Sequence, residues 1–161
     1  MSSPMIVAGT GHRPNKLGGY SWESQNKVYR VAAEWLQVNR PSKVISGMAL
    51  GWDQALALAA VRNDIPLVAA VPFREQPKAW PAAPQAEYYD IIDEAEEIVY
   101  VCDPGYAPWK MQKRNEWMVD NSDTVLALWD GSDGGTGNCV KYAGKVNKPI
   151  INLWSEYERI R

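Results

Sequence analysis

Short apolar runs recur along this 161-residue chain, each followed by a loop and then by a segment with helical spacing. The runs read as strands at residues 5–9 (MIVAG), 43–46 (KVIS), 66–71 (PLVAAV), 97–102 (EIVYVC), 124–129 (TVLALW) and 149–154 (PIINLW). A helix is expected from Trp22 to the Arg40 and Pro41 pair that ends it, and others over 54–62, 85–96, 109–120 and 138–147. In the first, Val28, Val31, Ala32, Trp35 and Leu36 share one face, with Ser21 as its cap and Ser24 where a capping box would place Glu. Strands alternating with helices over short connections predict a mostly parallel sheet with helices on both faces. That is a Rossmann-like, doubly wound α/β domain occupying the whole chain.

Residues 121–140, NSDTVLALWDGSDGGTGNCV, carry most of the functional information. Val125 to Leu128 form a continuous apolar run that suits a central strand covered on both faces. The loop 130–137 then holds Gly131, Gly134, Gly135 and Gly137, and a helix is expected from Asn138. Residues without a Cβ let backbone N–H groups approach a ligand closely. The unpaired N–H groups and positive end of the helix point into the same space, which makes a phosphate cradle.

Composition narrows the alternatives. The chain is 46% hydrophobic, enough for one domain with a proper core, and its net charge of −2 argues against a general nucleic-acid surface. One histidine and two distant cysteines, Cys102 and Cys139, give no metal-ligand spacing, so neither metal nor cofactor is expected. No leader-like segment and no membrane-spanning run is visible, so the expected setting is cytoplasmic and reduced. Most of the eight tryptophans are assigned to packing.

Ligands of open α/β sheets bind beyond the carboxyl ends of the strands. Loops there carry Gly9, Thr10, Gly11, His12 and Arg13, then Gly47, Met48 and Asp53, then Arg74, and finally 130–138. The helix bearing Lys110, Lys113, Arg114 and Asn115 is expected to open nearby. Asp53 sits at a helix start, where it serves either as a first-turn acid or as a ligand-facing one. His12, the one histidine, is either a proton donor or phosphate contact, or a satisfied loop side chain. Tyr20, Trp52 and Trp109 either stack a base or pack; Cys139 reads as a small buried residue.

Two segments carry a family resemblance. Residues 46–53, SGMALGWD, resemble the SGLARGID loop of the DNA-processing protein A family. Residues 111–115, MQKRN, with Ser122 and Asp123 and the GGTG of 134–137, resemble the MHxRK, SD and PGGxGT series of the Lonely Guy phosphoribohydrolases. Both families belong to the SLOG superfamily of Rossmann-like nucleotide-binding proteins. The opening GTGHRP of 9–14 with NEWMV of 115–119 is most similar to the YspA/YpsA-type branch.

The resemblance implies a small nucleotide-type ligand held by Gly134, Gly135, Thr136, Gly137, Asn138 and Asn115, with Arg114 at the arginine position of the enzymes. It also implies a homodimer. The hydrolases need a carboxylate for the oxocarbenium-like step, and their glutamate falls at Cys139 here. That substitution favours a sensor or sequestering protein over a nucleotide N-glycosidase, for which Arg114, Asp53 and His12 are the catalytic candidates. Single-stranded DNA binding is a further alternative, disfavoured by the acidic balance.

Overall fold

A computed structural model describes residues 5–161; the first residues, on which the absence of a leader was partly read, lie outside it. Six strands form one parallel sheet in the order β4-β3-β2-β1-β5-β6. They are β1 (Ile6–Gly11), β2 (Lys43–Ser46), β3 (Leu67–Val71), β4 (Glu97–Tyr100), β5 (Thr124–Leu128) and β6 (Ile150–Asn152). The helices are α1 (Trp22–Asn39), α2 (Trp52–Arg62), α3 (Ala82–Asp93), α4 (Pro108–Asp120), α5 (Gly135–Lys145) and α6 (Trp154–Ile160).

Strand order dictates which face each helix covers. The chain steps outward from β1 through β2 and β3 to β4, so right-handed crossovers place α1, α2 and α3 on one face. It then returns across the sheet to β5 and steps outward the other way to β6, which places α4 and α5 on the opposite face. Side chains alternate accordingly. Val7, Val44, Leu67 and Leu126 pack with Leu36, Leu56, Ile91 and Tyr157. Ala8, Ile45, Val68 and Ala70 pack with Met118 of α4, and Val125 packs with Val119, Cys139 and Ala143. The direction of travel reverses between β1 and β5, and a crevice opens at the carboxyl ends of those two strands.

Local chemistry accounts for several boundaries. Ser21 Oγ accepts the Ser24 N–H at 3.1 Å and caps α1, and Arg40 ends that helix in the left-handed region at φ 42°. Several boundaries differ from the expected ones, those of three strands among them. β1 runs on through Thr10 and Gly11 because these pair with Ala127 and Leu128 of β5. Regular pairing of β4 stops at Tyr100, opposite Val71 at the end of β3. The last apolar run contains only the short β6; Trp154 and Tyr157 belong to α6, a helix not anticipated from the sequence.

Candidate functional site

The first turn of α5 faces the crevice, and it begins three residues earlier than expected. Gly134 precedes the helix at φ 139° and ψ −165°, a backbone conformation that a side chain strains, and the Asn138 N–H already donates to the Gly134 carbonyl at 2.8 Å. Gly135, Thr136 and Gly137 are therefore the residues whose N–H groups have no partner within the helix. They line a cavity of about 270 Å³.

Three other pieces of chain complete the walls. The end of β1 and the loop after it bring Thr10, Gly11, His12 and Arg13, with Asn15 and Lys16 just beyond. The β2–α2 turn brings Ala49 and Asp53, and α4 brings Met111, Arg114 and Asn115. Ser132 and Asp133 precede the glycine turn. Arg13 and Lys16 are exposed cations at the mouth, whereas Arg114 is buried.

The loops after β1 and β5 are clasped together. His12 Nε2 lies 2.9 Å from Asp130 Oδ1 and 3.0 Å from the Asp130 backbone N, so that nitrogen donates to the carboxylate or accepts the N–H according to tautomer. Asp130 Oδ1 also accepts from the Ser132 hydroxyl and, at 2.9 Å, from the Ser132 N–H. The Ser132 hydroxyl and N–H hold the Asp130 carboxyl well below the usual range, with His12 adding to the effect. Lys16 Nζ donates to Ser132 Oγ at 2.6 Å, a second tie between the same two loops. His12 Nε2 is thus engaged across the clasp in either tautomer.

Asp53 and Arg114 form the buried electrostatic feature of the site. Arg114 donates through Nη1 to the Gly47 carbonyl and through Nε to Asn115 Oδ1 at 2.9 Å. Asp53 Oδ2 accepts the Ala49 N–H at 3.3 Å, while Oδ1 is buried without a hydrogen-bond partner among the described residues. Burial pushes the Asp53 carboxyl up to about 6, against the opposing pull of Arg114 and Arg13. Burial also lowers Arg114 from its ordinary value, with Asp53 opposing the shift.

Several anticipated contacts lie elsewhere. Gly9 sits under Leu56, where a Cβ would collide with the leucine methyl, so its need for glycine comes from helix packing. Gly47 lies 2.6 Å from Arg114 Nη1 measured from where its Cβ would be, so it makes room for the guanidinium. Met48 is fully buried in the core at φ 62°. Arg74 is exposed and stacks over the Tyr100 ring at 4.3 Å on the edge strand, outside the cavity walls. Asn138 is exposed and lies beyond the cradle because the helix starts earlier.

Trp52 packs rather than stacking a ligand, donating through its indole N–H to the Leu126 carbonyl at 3.3 Å. Lys110 holds three loop carbonyls, those of Asp103, Pro104 and Gly105. Cys139 is buried, and that burial pushes its thiol up to about 11, away from nucleophilic use. Lys16 and Ser132 were not singled out in the sequence, although both lie in loops marked as strand-end loops. Among the described residues, no group of three His, Cys, Asp or Glu side chains is arranged to hold a metal ion. No helix among them is long and apolar enough to cross a membrane.

Residues 7–149 match the YspA SLOG family. The SPbeta prophage-derived protein YoqJ of Bacillus subtilis is 36% identical over 138 residues, covering 76% of this chain and 81% of YoqJ. DNA processing protein A (DprA) from Streptococcus pneumoniae superposes with a TM-score of 0.68 at 19% identity, over 92% of this chain and 50% of that one. This chain therefore spans about half of the DprA structure. The molybdenum cofactor binding protein from Rippkaea orientalis superposes with a TM-score of 0.60 at 17% identity, over 96% of this chain and 82% of that one. At such identities the two structural likenesses are likenesses of fold.

Proposed function

The chain belongs to the YspA SLOG family, and from that premise we propose that it binds a small nucleotide or nucleotide-derived ligand, as a sensor or sequestering protein. The ligand's phosphate would sit at the first turn of α5. The observation that carries this reading is the turn itself. Three consecutive residues, Gly135, Thr136 and Gly137, present helix-start N–H groups to a cavity with the exposed Arg13 and Lys16 among its lining residues. The volume, about 270 Å³, suits a mononucleotide-sized fragment rather than a polymer. The superfamily resemblance and the molybdenum cofactor binding neighbour are consistent with a small ligand.

One observation favours a second reading, hydrolysis of a nucleoside 5′-monophosphate at its N-glycosidic bond. Asp53 is a carboxyl lining the cavity, with its pKa pushed up to about 6, where general acid–base work at neutral pH is feasible. It would replace the acid that Cys139 displaces.

Native mass spectrometry with a pool of nucleoside 5′-monophosphates and cyclic nucleotides, with released base assayed in the same mixture, separates the readings. Stable complex without base supports a binding protein. Complex with accumulating base supports the hydrolase. No complex overturns both. We also propose a homodimer, as the resemblance implies; sedimentation that returns only monomer across the micromolar range would overturn it.

A further inference from the structure

The unpartnered oxygen of Asp53 states what the rest of the ligand must offer. A buried carboxylate oxygen without a donor is costly, and such groups are rare unless something outside the chain completes them. Asp53 lines the same cavity as the glycine turn, and Arg114 directs its hydrogen bonds to Gly47 and Asn115 instead of to this carboxylate. The missing donor is therefore expected from the ligand. Arg114 and Arg13 both act electrostatically on Asp53, so a cationic ligand group would meet repulsion there. A neutral hydroxyl would not. Oδ2 is only weakly occupied, by one N–H at 3.3 Å, so the carboxylate keeps spare acceptor capacity on both oxygens, the number that a pair of adjacent hydroxyls would fill.

We infer that Asp53 accepts hydrogen bonds from a vicinal sugar diol beside the bound phosphate, so that the site takes ribose phosphates over their 2-deoxy counterparts. This rests on the proposal that the α5 turn binds phosphate. Asp53 would then be a specificity residue, selecting the sugar while the glycine turn supplies the affinity common to all phosphate esters. A hydroxyl donating to a charged acceptor is worth about a tenfold change in affinity or more.

The test is isothermal titration of the full chain with ribose 5-phosphate and with 2-deoxyribose 5-phosphate, in the unmodified protein and in Asp53→Asn and Gly135→Asp. The unmodified protein should bind the ribose ester at least about tenfold more tightly. Asp53→Asn should reduce that ratio below about threefold by weakening the ribose ester alone, and Gly135→Asp should lose both ligands. Equal binding of the two esters by the unmodified protein overturns the inference while leaving the phosphate site standing, and does so even if the Asp53 variant fails to fold. Equal weakening of both esters by Asp53→Asn also overturns it, since the role would then be structural. Failure of both esters to bind the unmodified protein overturns the phosphate reading, and this inference with it.

Discussion

Asp53 is held by this fold at the expense of stability. Its folded carboxyl titrates near 6 against an ordinary 3.8, so the folded chain keeps the proton to higher pH than the unfolded chain does. The folded state thus binds more protons between those values, and stability must fall as pH rises from about 4 to about 6, then level off. The ionised carboxylate costs on the order of 3 kcal/mol above that window. Asp53→Asn removes the charge and is expected to be more stable than the parent by about 1–3 kcal/mol at pH 7.5, with the gap closing toward pH 4. Urea denaturation at both pH values checks this; an unchanged gap would refute the assignment. Arg114→Ala should act oppositely. It loses the bond to Gly47, whose carbonyl keeps Gln76 Nε2 at 3.0 Å, and leaves Asp53 without its main opposing charge. A loss of about 1–3 kcal/mol is expected at neutral pH, and the Asp53 titration should move further upward, visible by carboxyl NMR.

At the scale of the element, α5 separates glycines needed for ligand approach from those needed for the fold. A Cβ on Gly135 meets nothing within 4 Å, and that residue has ordinary helical backbone. A Cβ on Gly137 would lie 2.8 Å from the Ser132 carbonyl oxygen and force the loop to move. Gly135→Ala should therefore melt within a degree or two of the parent or slightly above it, because alanine favours helix by up to about 1 kcal/mol. Gly137→Ala should melt several degrees lower. Gly135→Asp should retain the fold and lose anion binding, because a carboxylate at the helix start takes up the favourable end of the dipole itself and repels an incoming anion. Thermal melts and titration with a phosphate ester distinguish all three. The His12 and Asp130 clasp belongs to this scale too. A double-mutant cycle on the pair should return a coupling energy, and its absence would mean that the two loops hold their positions independently.

Across the whole molecule, the site exists because four separate pieces of chain converge at the reversal of strand order between β1 and β5. A mononucleotide in a cavity of about 270 Å³ would contact the protein through one or two phosphates, so ligand affinity should fall only shallowly with salt. A slope steeper than about four in log affinity against log salt would point to a multi-phosphate contact with single-stranded DNA. Fluorescence anisotropy with an oligonucleotide across a salt series, run beside a mononucleotide competition, decides it.

Much of this architecture was legible in the residues themselves. Val125 to Leu128 announce a strand covered on both faces, and the spacing of Val28, Val31 and Leu36 announces the buried face of α1, because burial imposes period on a sequence. The glycines of 131–137 announce a turn of unusual backbone freedom, and Ser21 announces its cap. Alternation of strand and helix then implies the parallel sheet, since parallel strands need crossovers. Other features depend on partners distant in the chain. Thr10 and Gly11 are strand residues because β5 lies beside them, and the regular β3–β4 register ends at Val71 and Tyr100. Gly47 is glycine because Arg114, 67 residues away, lies against it. Arg74 looks like an anion contact until the edge-strand Tyr100 accounts for it. Asp53 looks like any first-turn acid until burial strips it of water and leaves one oxygen unpartnered. Local pattern determined the strands, the first five helices and their order, because helix and strand periodicities are properties of neighbouring residues. Only the tertiary structure decided which side chains share the cavity and which carboxyl is strained, because burial and electrostatic neighbourhood are properties of the assembled chain.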